Sequence, residues 1–191
     1  MSQLIFRLSP LLAAALLAGC AGLSTAPAPA PADVGVDGIA CVGAVPSAPA
    51  QFQPSANEGL VNTARLASGK GGVCAAQVYT ATAPVVVYRV YDQKNGSASA
   101  IAGRWWSLSL PTGPRDGYRA AYGICPEWSA LNAMIRCELK PGAQVLLGNT
   151  QSVDCAEGGY PKTAAAQLYI PNDGRNNVSY VDHCTDQGTW P

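Results

Sequence analysis

Seven cysteines constrain this chain more than any other feature: Cys20, Cys41, Cys74, Cys125, Cys137, Cys155 and Cys184. An even set in an exported domain forms disulfides, whereas an odd one leaves a thiol to explain. Cys20 stands apart at the end of an apolar stretch, so the other six form a set suited to three disulfides. No CxxC pair occurs and the chain has one histidine, so no metal site is expected. Six cysteines allow fifteen connectivities. The expectation is that sequence neighbours join, as Cys41–Cys74, Cys125–Cys137 and Cys155–Cys184, each loop contributing about 3 kcal/mol by restricting the unfolded chain.

The start of the chain explains the seventh cysteine. Arg7 sits in a short leading region, Leu11 to Ala18 form an apolar run, and small residues close it. That is a secretory signal, too short and wrongly flanked for a spanning helix. Its end, Leu17-Ala18-Gly19-Cys20, resembles the lipobox of bacterial lipoproteins. The resemblance implies removal of residues 1–19 and lipid attachment to Cys20, which places the protein on a membrane of the cell envelope. Ala21 stands where an aspartate often retains such lipoproteins in the inner membrane, so outer-membrane sorting is expected, facing periplasm or exterior.

Residues 20–37 read as a lipidated Pro/Ala-rich tether, AGLSTAPAPAPADVG at its centre. Alternating proline favours an extended spacer on the order of 40 Å long. Residues 38–191 read as one disulfide-stabilised domain. Twelve Lys and Arg balance twelve Asp and Glu without a basic stripe, which argues against nucleic acid as a partner.

The expected fold class is α+β, a single small β-rich domain with one or two short helices. Ser55-Ala56-Asn57-Glu58 reads as a capping box, and Leu60, Val61, Ala64 and Ala67 recur at helical spacing, predicting a helix over 56–68. Pro126-Glu127-Trp128 predicts a second helix running to about Met134. Strands are expected at 85–91, 105–110, 135–139, 144–147, 167–170 and 178–181, from their β-branched and aromatic content. The KGGVC segment at 70–74 lacks P-loop spacing and reads as a loop after the first helix.

Little in the chain suggests catalysis. His183, in VDHC, has no GxSxG partner motif and reads as a surface residue. No pair of carboxylates falls in an acid/base context. One constellation stands out: VYR ending at Arg89, GRWWSLSLP at 103–111, and AQLYIP at 166–171. Over residues 84–171 these segments resemble ADP-ribosyltransferase-like toxins and NAD glycohydrolases of the necrotizing-toxin type. The resemblance implies that Arg89 sits by the phosphates of NAD. Trp105, Trp106 and Ser107 would line the nicotinamide side, and Gln167 would hold the late-strand catalytic position, with Gln151 as its rival. A glutamine there favours hydrolysis of NAD over transfer to arginine.

Three functions follow as expectations. The first is a lipid-anchored envelope lipoprotein with a non-catalytic binding domain that meets an envelope or effector protein and needs no cofactor. The alternative is an exported NAD-cleaving enzyme, with NAD as substrate only. An immunity or inhibitor lipoprotein is a further alternative. Binding of NAD requires a tryptophan of the GRWW segment to line an open cleft together with Arg89.

Overall fold

The computed structural model describes residues 33–190. The signal peptide, the lipobox with Cys20 and the tether up to residue 32 lie outside the described residues. In chain order the elements are β1 (Phe52–Pro54), α1 (Glu58–Ala64), β2 (Val73–Ala81), β3 (Val85–Tyr91), α2 (Gly96–Ile101), β4 (Trp105–Trp106), α3 (Arg115–Tyr122), β5 (Ala133–Leu139), β6 (Gln144–Thr150), β7 (Val153–Cys155), β8 (Gly158–Tyr160), β9 (Thr163–Tyr169) and β10 (Val181–Thr189). Single 3-10 turns at Gln93–Asn95 and Pro126–Trp128 complete the set. The class is α+β, as expected, with three short α-helices among the described residues rather than one or two.

All strand pairs are antiparallel. A five-stranded sheet runs β1-β2-β6-β9-β4, a three-stranded sheet β10-β5-β3, and β7-β8 form a ribbon. Tyr88 on β3 and Ser107, just past β4, exchange two backbone hydrogen bonds of 2.8 Å, which joins the two larger sheets along one edge. Their facing sides close on one core. Val87, Ile135, Cys137 and Leu139 come from the smaller sheet, and Val145, Leu147, Leu168 and Trp106 from the larger. β5 alternates buried and half-buried residues along its whole length, the period of a strand with one wet face. β6 is buried at six successive positions because α1 covers its other face, through Leu60 and Ala64 against Leu146, Val78 and Tyr169.

Several local expectations are corrected. The cap of α1 is Asn57, whose side chain accepts from the Leu60 amide at 3.0 Å, and not Ser55. The helix ends at Ala64, well short of Gly69. The helix expected from Pro126 to about Met134 is only the 3-10 turn Pro126–Trp128. Buried Arg119 draws the Cys125 and Ser129 carbonyls to its guanidinium at 3.3 and 2.6 Å. The Cys125 carbonyl also closes the 3-10 turn by accepting from the Trp128 amide at 3.0 Å, after which Ser129 extends and Leu131 takes φ +49, so the turn does not propagate. The strand expected over 105–110 stops after Trp106, and the one expected at 178–181 begins at Val181.

The disulfides are Cys41–Cys74, Cys125–Cys155 and Cys137–Cys184. The first pair is the expected one. The pairings Cys125–Cys137 and Cys155–Cys184 are corrected, because strand adjacency overrides nearness in sequence. Cys137 on β5 lies beside β10, where Cys184 falls in a register irregularity between Asp182 and Thr185 with its Cα 4.1 Å from that of Cys137. Residues 33–37, placed by sequence in the tether, are bonded to the domain. Val34 bridges Ala40, and the Lys162 ammonium donates to the Asp37 carboxylate at 2.8 Å.

Candidate functional site

The antiparallel edge where β3, β4 and β9 meet leaves a cleft of about 220 Å³. β3 contributes Arg89, β4 contributes Trp105 and Trp106, and β9 contributes Gln167. Helix α3 closes one side with Tyr118 and Tyr122, one turn apart on the same helix face, their rings 4.4 Å apart. The loop held by Arg119 brings Trp128 to the rim, where it is 51% exposed, and the segment after α1 adds Lys70.

Arg89 is the unusual member. Its Nη1 donates to the Trp105 carbonyl at 2.8 Å, while Nε is buried without an acceptor. Among the described residues no carboxylate lies within ion-pair distance of it. Asp92 lines a recess behind the guanidinium, but its oxygens go to the Lys94 ammonium at 3.1 Å and to the amides of Lys94 and Ala130. Burial draws the Arg89 pKa down to about 10. Arg89 is half-buried with its Nε fully covered, and a cation drawn from water without a counter-charge is penalised.

The backbone is shaped to keep the guanidinium there. A Cβ at Gly103 would stand 2.1 Å from Arg89 Cζ, so a side chain here would force the guanidinium to move. Gly103 is held in turn: its carbonyl accepts from Trp106 Nε1 at 2.8 Å and from the buried Asn172 Nδ2 at 2.9 Å. The glycine of GRWW therefore serves close approach.

Gln167 is buried, and its amide has one permitted orientation. Nε2 faces the Thr150 hydroxyl at 2.8 Å, the Tyr122 carbonyl at 3.2 Å and the Gly72 carbonyl at 3.5 Å. Carbonyls only accept, so the NH2 must point at them and Oε1 is the end left for the cleft. Burial pushes the Tyr118 hydroxyl pKa well above its ordinary range, with Tyr122 adding to the shift. Tyr118 is therefore a neutral phenol at any ordinary pH. The lining contains two cations, Arg89 and Lys70, and no carboxylate or histidine.

The structure thus brings Arg89, Trp105, Trp106 and Gln167 together and leaves Ser107 out. Ser107 is buried, and its hydroxyl donates to the Ser109 carbonyl and accepts from the Ser109 amide, a local turn that turns it from the cleft. Trp106 is only 3% exposed and belongs chiefly to the core, whereas the half-buried Trp105 stacks edge-on to Tyr169 and keeps one side toward the cleft. Gln151 is buried elsewhere: a Cβ on Gly35 would meet its Nε2 at 2.7 Å and the Cys74 sulfur at 2.9 Å. His183 lies on the surface beside Glu138 and Asp182, far from use in the cleft lining. Sequence reasoning missed Lys70, Tyr122 and Trp128. The i, i+4 tyrosines between Pro114 and Gly123 were the one available sign of α3.

The remaining cluster with metal-ligand atoms, Cys125, Glu127 and Cys155, is spent: the two sulfurs form a disulfide and Glu127 accepts from the Ala156 amide at 2.9 Å. No described helix is long and apolar enough to cross a membrane. No known protein family, curated protein or solved structure matches the chain.

Proposed function

We propose that this protein is a lipid-anchored lipoprotein of a bacterial cell envelope whose domain binds a small ligand in the cleft between β3, β4, β9 and α3. One observation carries the binding reading: a guanidinium, a half-buried indole and a buried amide from three separate strands converge on one cavity. The lining offers hydrogen-bond donors, an acceptor and aromatic faces, and it offers no carboxylate or imidazole to move a proton. That composition suits recognition better than acid/base chemistry. The lipobox supports the anchor. Feeding cells an alkyne-tagged palmitate should label the wild-type chain and leave Cys20→Ala unlabelled; label on both, or on neither, would remove the lipid anchor from this account.

Cleavage of NAD is the second reading, favoured by the meeting of Arg89, Trp105 and Gln167 in one cleft. Release of nicotinamide from NAD by the oxidised, folded protein tests it directly. Release that disappears in Gln167→Ala would establish a hydrolase with its catalytic strand at β9. No release would leave ligand binding as the function of the cleft.

A further inference from the structure

We infer that the ligand of this cleft is a single planar ring carrying one anionic group, a carboxylate or a phosphate, together with a hydrogen-bond donor. The inference rests on the cleft being a ligand site and adds the class of ligand.

The argument starts from the charge that the protein leaves unbalanced. Arg89 makes one hydrogen bond, to the Trp105 carbonyl, and its Nε is buried without an acceptor. A buried cation is normally paired within the fold, and Arg is the side chain whose planar fork matches carboxylate and phosphate oxygens. Here Asp92, the carboxylate that shares a recess with Arg89, is taken by Lys94 and two amides. A long arginine stem could carry the charge outward to water. Instead the half-buried guanidinium stays in the cleft wall, packed against Gly103 where a Cβ would displace it. The second cation of the lining, Lys70, is exposed at the rim, where it adds attraction for the same sign of charge.

The walls decide the rest of the ligand. Trp105, Tyr118, Tyr122 and Trp128 line the cavity, and aromatic walls favour a flat partner. At about 220 Å³ the cavity is smaller than the roughly 300–1,000 Å³ of sites that engulf drug-sized molecules. One ring with its substituents fits that space. Gln167 adds polarity of a fixed sense: with its NH2 locked onto Thr150, Tyr122 and Gly72, its Oε1 rewards a ligand N–H or O–H.

The test compares ring-bearing probes that differ in charge, using the mature oxidised protein and its intrinsic tryptophan fluorescence. 4-Hydroxybenzoate and 4-hydroxyphenyl phosphate carry ring, anion and donor; 4-hydroxybenzamide is the neutral counterpart; inorganic phosphate and acetate are anions without a ring. We expect saturable binding of at least one ring anion, about tenfold tighter than the amide, with the free anions weaker still. The two ring anions distinguish carboxylate from phosphate. Lys70→Gln, a change at an exposed side chain, should weaken the ring anion several-fold and change the amide far less. Arg89→Gln should abolish the preference for charge. If the neutral amide binds as tightly as the anions, the anion inference is overturned while the cleft remains a ligand site. If no ring probe binds at millimolar concentration, both fall.

Discussion

The guanidinium of Arg89 occupies the space that a side chain at Gly103 would need: a Cβ built on that glycine lies 2.1 Å from Cζ and 2.3 Å from Nε. Two residues fourteen positions apart are therefore sterically coupled, one by its size and the other by its lack of a side chain. The contact explains why a glycine precedes the tryptophan pair, and it makes the position of Arg89 sensitive to a single methyl group.

Gly103→Ala should accordingly displace Arg89 or push the β4 approach outward. Overpacking of this kind costs about 1–3 kcal/mol. Urea denaturation should show that loss, and ring-anion binding should fall with it. An alanine variant of unchanged stability and binding would contradict the close approach.

Asn172 should matter out of proportion to its size. Its Nδ2 donates to the carbonyls of Ile101 and Gly103 at 3.1 and 2.9 Å, and its Oδ1 accepts from the Tyr180 amide at 2.9 Å. Asn172→Ala empties a fully buried position and removes the partner of the Ile101 carbonyl and the Tyr180 amide, while the Gly103 carbonyl keeps Trp106 Nε1. At roughly 1–3 kcal/mol for each group left unsatisfied, the expected loss is about 2 kcal/mol or more, measured by chemical denaturation.

Gln167→Glu tests the locked amide. The carboxylate would face the Tyr122 and Gly72 carbonyls with no hydrogens to offer them. We expect destabilisation of about 1–3 kcal/mol at neutral pH, partly relieved in acid as the new carboxyl takes up a proton and regains a donor. A variant as stable as wild type at pH 7 would mean that the amide is oriented the other way.

Acid should release the N-terminal segment. The hydrogen bond from Lys162 holds the Asp37 carboxyl below its usual range, more than offsetting its burial. A carboxylate with a folded pKa below its unfolded value stabilises the fold above the unfolded pKa, and that contribution fades as pH falls through the folded one. Asp37→Asn should therefore be less stable than wild type at pH 7, and the difference should shrink below about pH 4. Denaturation curves collected across this range check the sign.

Non-reducing digestion and mass spectrometry should recover peptides joined as Cys125–Cys155 and Cys137–Cys184. Removing the former bond by a double alanine replacement should cost about 3 kcal/mol. It should also loosen the Trp128 loop that begins at Cys125, lowering affinity for ring probes.

The local pattern along the chain determined a good deal. Period-two alternation marks β5, valine and tyrosine content marks β3, and Asn57 to Ala64 carries the spacing of α1, because each of these signals arises within one element. β2 escaped because its Cys74-Ala75-Ala76 stretch is unlike a typical strand. The small residues there answer Gly148 on β6, where a Cβ would meet the Ala75 carbonyl at 2.4 Å and the Ala76 methyl at 2.8 Å. α3 escaped because its buried residue is Arg119, a charged side chain whose partners, the carbonyls of Cys125 and Ser129, lie outside the helix. The six cysteines announced disulfides, but which of them meet depended on β10 folding back beside β5. Arg89, Trp105 and Gln167 could be named one at a time from sequence. Their convergence, the missing counter-charge and the fixed sense of the amide exist only once β3, β4, β9 and α3 have packed, because each is a relation between distant parts of the chain.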